Sequence, residues 1–168
     1  PDTGRIILGG IPSGRSRAYR EQIGFVPQEI ALSPRLSVQQ NMDFWASMRG
    51  LSGKTRKAAV SEAVELTNIG SFLDKRISHC SGGMIRRANL AAGLVGSPSL
   101  ILLDEPTAGI DEENRDSILH AVKNLQKEGR MVVMVNHYRA ELDLVCNRII
   151  TLQDGQLAPL GQYAPTEA

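Results

Sequence analysis

A chain of 168 residues, 42% apolar and 22% charged, has the composition of an ordinary folded domain with room for a buried core, not that of a disordered or fibrous sequence. Its 19 basic and 18 acidic residues leave a formal net charge of +1 with no block of like charge, so there is no electrostatic argument for a nucleic-acid partner. Cys80 and Cys146 lack the spacing of a disulfide framework or metal clip and read as free thiols in a reducing compartment; His79, His120 and His137 show no metal-ligand spacing either.

The sequence opens at Pro1 without an initiator methionine or a signal peptide, and an N-terminal part of the protein is expected to precede it. Arg5-Ile6-Ile7-Leu8 is a candidate strand that runs into Gly9-Gly10-Ile11-Pro12-Ser13-Gly14-Arg15-Ser16. That octapeptide is one residue away from the phosphate-binding loop G-x-x-x-x-G-K-[ST]. Such a loop needs a helix behind it whose first amides face the phosphates, whereas Arg17 to Gln22 is short and polar before Ile23 begins the next strand. Arginine's planar fork is also a poor substitute for a lysine point charge wrapped by a tight loop. The octapeptide therefore reads as a turn leaving a strand.

From about Val38 to Val95 the pattern is mostly helical, with Asn41–Met48, Thr55–Leu66 and Met84–Val95 as candidate helices. Inside it, Gly50-Leu51-Ser52-Gly53-Lys54-Thr55 imitates the phosphate loop again, but its glycine spacing is short and no strand leads into it, so it reads as a polar loop between helices. The most apolar stretch, Ala88 to Leu103, is too short to span a bilayer and is broken by Ser97-Pro98-Ser99. Leu100–Leu103 and Met131–Val135 are continuous apolar runs of the kind found in parallel strands buried on both faces. Between them, Glu112 to Glu128 carries Ile118, Leu119, Val122 and Leu125 at helical spacing, which makes a strand–helix–strand unit. Arg139–Cys146 reads as another helix, and Arg148–Leu152 with Gln156–Ala158 as two strands around a turn at Asp154-Gly155. The fold class is α/β, a sheet-based core interrupted by a helical insertion.

Two stretches carry candidate chemistry. The run Leu100–Leu103 ends in Asp104-Glu105, and side chains at the carboxyl end of a parallel strand face the crevice where ligands bind. An Asp there can hold Mg²⁺ and a Glu beside it can orient and deprotonate a water, although the same hexapeptide alone is equally a strand ending in two solvated acids before Pro106. Cys80-Ser81-Gly82-Gly83-Met84 precedes a helix with Arg86 and Arg87 in its first turn, against the macrodipole preference for acids there. That placement suits a helix start reserved for an anion, with free amides, a hydroxyl and two glycines that allow close approach; alone it is more simply a Ser N-cap after a glycine turn.

In order, the chain presents Ile23-Gly24-Phe25-Val26-Pro27-Gln28, Cys80-Ser81-Gly82-Gly83-Met84, Leu102-Leu103-Asp104-Glu105-Pro106-Thr107, Ala108-Gly109-Ile110-Asp111 and Val135-Asn136-His137. This series resembles the nucleotide-binding subunit of ATP-binding cassette (ABC) proteins over essentially the whole chain. The Ser-Gly-Gly-Met-x-x-Arg pattern and Met48-Arg49-Gly50-Leu51 are similar to cassettes of the drug and polysaccharide exporter type. The resemblance implies a P-loop NTPase (RecA-like) core with a mostly parallel sheet, residues 1–30 and 97–168, and an inserted α-helical subdomain, residues 31–96. It implies ATP and Mg²⁺ as ligands, a second nucleotide-binding domain and a transmembrane permease as partners, and a cytoplasmic position on the inner face of the membrane. By the same resemblance Gln28 matches the Q-loop glutamine, in contact with Mg²⁺ and the attacking water, and Asp104 and Glu105 match the Mg²⁺-binding aspartate and the catalytic base. Ser81, Gly82 and Gly83 match the signature loop that contacts ATP on the opposite protomer, Asp111 the D-loop aspartate of the dimer interface, and His137 the γ-phosphate switch histidine.

The chain departs from the family where Cys80 stands for a usual leucine and Met84 for a frequent glutamine. Pro1-Asp2-Thr3-Gly4-Arg5-Ile6-Ile7-Leu8-Gly9-Gly10 parallels the family's P-x-x-G-x-I-x-x-x-G, a strand that follows the phosphate-loop helix, so that loop is expected upstream of residue 1. Two other classes fit the sequence less fully: a non-catalytic cassette acting as a regulatory interaction module, and a soluble ABC ATPase of DNA repair or translation, against which the single short helical insertion and near-neutral charge count.

Overall fold

The computed structural model describes residues 3–14 and 16–157, which divide after Val135 into two compact units. Pro1, Asp2, Arg15 and Ala158, all named in the motifs above, lie outside the described residues.

The first unit begins with a two-residue hairpin, β1 (Ile7–Leu8) against β2 (Ile11–Pro12), closed by Gly9 and Gly10 at φ 55° and 78°. Two consecutive residues at positive φ are what a tight hairpin turn demands, and glycine meets that demand without steric cost. So the start of the phosphate-loop imitation is a hairpin turn. A short helix does follow it, α1 (Arg17–Glu21), capped by the Ser16 hydroxyl and spanning 5 residues.

Next come β3 (Ile23–Val26) and the helical layer α2 (Val38–Met48), α3 (Gly53–Thr67) and α4 (Gly82–Leu94). Each helix starts earlier than its apolar period suggests, because polar residues take the caps. Ser37 and Gln40 form a reciprocal capping box on α2, while Gly53, Lys54 and Thr55 make the first turn of α3. Asn68 ends α3 in the left-handed conformation at φ 50°. The early start of α4 moves Arg86 and Arg87 out of its first turn into the second.

The sheet of this unit is parallel, in the order β3–β4–β5, with β4 (Leu100–Asp104) in the middle and β5 (Met131–Val135) reached through α5 (Glu112–Lys127). The expected strand–helix–strand unit is thus present. Gly24, Ile101 and Val132 share one face of the sheet with Val26, Leu103 and Met134, and α4 and α5 pack against this face and each other. That face is the buried one at Gly24, Val26, Ile101 and Leu103, with Val132 and Met134 half-buried. On the opposite one Phe25, Met131 and Val133 stay exposed, so β5 is not enclosed on both sides as its unbroken apolar run suggests.

Helix α4 approaches β3 closely. A Cβ on Gly24 would collide with the Gly93 carbonyl and the Pro98 ring, and one on Gly93 would collide with Val26. Ala88, Ala91 and Ala92, all buried, keep the rest of that helix face thin. The backbones therefore run almost in contact over Val26, whose strand leads straight to Pro27-Gln28.

The second unit holds α6 (Arg139–Val145) and a hairpin, β6 (Leu152–Gln153) against β7 (Gln156–Leu157), turned by Asp154 and Gly155 at positive φ. The first strand is shorter than expected. Residues 148–151 take no strand conformation, and the ladder is limited to Leu152↔Leu157 and Gln153↔Gln156. Glu141 is buried and accepts a hydrogen bond from the Asn136 side-chain amide at 2.7 Å.

Gly24→Ala and Gly93→Ala are each expected to destabilise the fold by about 2 kcal/mol or more, because the added methyl meets the Gly93 carbonyl in one case and the buried Val26 side chain, backed by the Phe25 carbonyl, in the other. Urea unfolding checks this, with Gly14→Ala, where a Cβ meets nothing within 4 Å, as the neutral control.

Candidate functional site

Parallel pairing decides where the candidate residues meet. Val26 lies beside Leu103 and Asp104 beside Val135, so β3 and β4 release their chains at the same edge of the sheet. Gln28 leaves β3 there and Glu105 leaves β4 there, and the Gln28 Nε2–H donates to Glu105 Oε2 at 3.0 Å across 77 residues of sequence. Asp104 is the last residue of β4.

Glu105 holds its position against backbone preference. It is a non-glycine residue at φ 44°, a left-handed conformation that costs on the order of 1–3 kcal/mol and persists only where surroundings enforce it. Its N–H donates to the Val135 carbonyl at 3.0 Å, and its own carbonyl accepts from Ala108 N–H at 3.2 Å. Both bonds pin the kink, which turns the carboxylate off the strand line and toward Gln28.

A second group forms around the start of α4. Ser81 is its N-cap, accepting from the Met84 N–H at 3.3 Å, and Gly82 and Gly83 are its first residues. Gly83 is buried under the Asn114 amide, which occupies the space a Cβ would need. That amide in turn donates to both carboxylate oxygens of Asp111, at 2.9 and 2.8 Å, and the Asn114 backbone N–H donates to Oδ1 at 3.0 Å. Asp111 is thereby the N-cap of α5. The Asn114 backbone donation, with the side-chain bonds next, holds its carboxyl below the ordinary aspartate range. Sequence reasoning misses Asn114, whose only signal is a polar residue three positions after a capping Asp, the commonest N-cap spacing.

The hydrogen bonds of both α4 arginines go to backbone carbonyls, although the Arg87 charge also helps hold the Asp111 carboxyl down. Arg86 donates to the Gln28 carbonyl, while Arg87 donates to the Asn68 carbonyl at 2.9 Å and lies over the Phe72 ring at 5.2 Å. Burial pushes the Cys80 thiol up, toward the protonated form that donates to the Arg76 carbonyl at 3.3 Å. His137, in the second unit, is exposed and has its ring tilted against Tyr138 with centroids 4.2 Å apart.

Among the described residues no cluster of three or more His, Cys, Asp or Glu side chains is arranged for a metal. The donor set of Asp104 and Gln28, one carboxylate and one amide carbonyl, nevertheless fits Mg²⁺, which keeps several waters and completes its shell with phosphate oxygens.

The family model described as ABC transporter matches residues 1–108. The linearmycin resistance ATP-binding protein LnrL of Bacillus subtilis is 39% identical over 95% of this chain and 52% of its own length, and Nod factor export ATP-binding protein I of Rhizobium etli is 32% identical over 93% and 50%. The chain thus spans about half the length of the curated relatives it matches. Among solved structures, cbiO1 from Clostridium perfringens, part of the ABC transporter complex cbiONQ, superposes with a TM-score of 0.83 at 30% identity, covering 95% of this chain and 66% of that one. The dimeric cassette MJ0796 bound to ADP and Pi superposes with a TM-score of 0.80 at 26% identity, covering 95% and 73%. The fold is that of ABC ATPase cassettes.

The Asp111–Asn114–Gly83 contact yields a pH signature. Gly83→Ala is expected to displace the Asn114 amide from Asp111, and Asn114→Ala to remove it, each raising the Asp111 titration midpoint toward the ordinary aspartate value. Because the wild-type midpoint is depressed, its stabilising contribution is complete above an unfolded-state pKa of about 3.9 and is lost as pH falls through the folded-state value. The stability gap between wild type and Asn114→Ala should therefore narrow below about pH 4. Carboxylate NMR titration and acid unfolding measure the two effects.

Proposed function

Because the chain belongs to the ABC transporter family, we propose that it forms part of an ATP-binding, ATP-hydrolysing subunit that powers export through a membrane-spanning partner. The single observation that carries the reading is the hydrogen bond from Gln28 to Glu105 at the carboxyl ends of adjacent parallel strands. A carboxylate oriented by an amide donor is the arrangement a general base needs beside an attacking water.

In this reading Glu105 takes the proton of the water that attacks the γ-phosphate of ATP. Gln28 holds the carboxylate in one orientation through its Nε2–H, which leaves the amide carbonyl for a cation. Asp104 and Gln28 would hold Mg²⁺, whose contribution when bound is to neutralise charge on the phosphate oxygens. His137 steadies the γ-phosphate. Ser81, Gly82 and Gly83, at the amino end of a helix of 13 residues, contact ATP held by an opposite protomer, with Asp111 at the interface between the two cassettes. Residues 1–30 and 97–168 belong to the nucleotide-binding core and 31–96 to a helical subdomain.

Partners and location follow by analogy. MJ0796 is a dimer and cbiO1 belongs to a transporter complex, which supports a paired cassette docked on a permease at the cytoplasmic face of a membrane. No helix among the described residues is long and apolar enough to cross a membrane. A cavity of about 600 Å³ between Phe25, Trp45 and Met48, rimmed by Arg17, Arg20 and Arg49, supports transmission of closure through the surface around Gln28 and residues 29–48. The Nod factor export relative supports export as the direction.

Glu105→Gln in the full-length protein assembled with its partner is expected to cut phosphate release by at least about 10² while ATP binding persists and an ATP-bound dimer accumulates. Phosphate-release kinetics and size-exclusion chromatography with ATP measure both. Turnover at the wild-type rate would overturn the assignment.

A further inference from the structure

The turn that leaves β3 is gripped from outside at four backbone groups. Asn89 on α4, only 2% exposed, accepts from the Ala31 N–H at 2.9 Å and donates to the Pro27 carbonyl at 3.2 Å, so one side-chain amide bridges the two ends of the turn around Gln28. Arg86, three residues earlier on α4, donates to the carbonyl of Gln28 itself. From α2, the Trp45 indole N–H donates to the Ala31 carbonyl at 3.0 Å.

The packing of α4 does not need a polar residue at position 89. Its neighbours Ala88, Leu90, Ala91 and Ala92 are buried and apolar, as a helix against a sheet requires. A buried amide costs free energy unless its bonds are made, and Asn89 makes both to a single turn. The path of that turn is therefore dictated by α4. A displaced Pro27 or Ala31 would leave a donor or an acceptor of Asn89 unsatisfied in the interior.

We infer that Asn89 and Arg86 are positioning residues for the proposed ATPase: they hold the Gln28 turn on α4 so that the Gln28 side chain reaches Glu105. The inference rests on the reading of Gln28 and Glu105 given above. It makes α4 and the turn one mechanical piece. A shift of Gln28 on nucleotide binding then moves the helix that Ser81 caps, and Trp45, bonded to the far end of the same turn, senses it.

Arg86→Met, Arg86→Lys and Asn89→Asp test this in the full-length protein assembled with its partner, beside Glu105→Gln. Arg86 is only half-buried, so the methionine removes the donor and keeps most of the packing. Arg86→Met is expected to lower kcat about tenfold with KM for ATP nearly unchanged, Arg86→Lys to recover most of the loss, and Asn89→Asp, which keeps the acceptor and loses the donor, to resemble Arg86→Met. Trp45 is the one tryptophan of the 168 residues, and its indole N–H resonance, assigned with Trp45→Phe, should respond to MgATP in wild type and lose that response in Arg86→Met. A residue with a purely structural role would lower Tm and leave both kcat and the Trp45 response intact. If Arg86→Met and Asn89→Asp keep wild-type kcat while Glu105→Gln abolishes turnover, the positioning role is overturned and the functional reading stands. If Glu105→Gln turns over normally, the reading falls and the positioning role with it.

Discussion

The contact on which the first unit depends is the near-touching of two backbones at Gly24 and Gly93. Neither position has space for a methyl group, so β3 and α4 meet at a separation no other residue pair allows. That separation brings the second turn of α4 within hydrogen-bond reach of residues 27–31. Arg86 and Asn89 touch the turn because the helix lies so low on the strand, and Val26 is sealed between them at 2% exposure.

The polar geometry follows from this contact and from the parallel ladder. β3 and β4 end together, and the strained kink at Glu105 turns one carboxylate off the strand line toward Gln28. Near the start of α4, a second polar chain runs from Asp111 through Asn114 to Gly83. In each case a glycine or a left-handed residue admits a polar side chain at contact distance, and hydrogen bonds to the backbone keep it in one orientation. In the proposed ATPase, fixed donors and carboxylates of this kind would need no reorganisation as charge develops on a phosphate.

Much of the architecture is legible in local sequence. The strands Leu100–Leu103 and Met131–Val135, with an amphipathic helix between them, can be read from periodicity, because burying an apolar stripe supplies most of the stability of a helix or strand of that length. The imitation of a phosphate loop at residues 9–16 is set aside in the sequence on the short polar stretch that follows it; in the structure that stretch is a helix of 5 residues, and Gly9 and Gly10 turn a hairpin before it. Hydrophobic period places helix starts too late, because caps are set by polar hydrogen bonds that it does not register. The composition of β5 suggests burial of both its faces, yet an apolar run records only that a strand is apolar; which face is covered depends on where α4 and α5 pack.

The sequence by itself determined most element types and which carboxylates, glycines and amides stand at strand ends and helix starts, since these follow from interactions within a few residues. Only the tertiary structure decided which of them touch. Gln28 reaches Glu105, Asn89 bridges Pro27 and Ala31, Arg86 turns to a carbonyl instead of an anion, and Asn114 covers Gly83. The reason is physical: each contact joins residues far apart in sequence or on different elements, and its distance is set by backbone approach at Gly24, Gly93 and Gly83, where the absence of a side chain is itself the structural information.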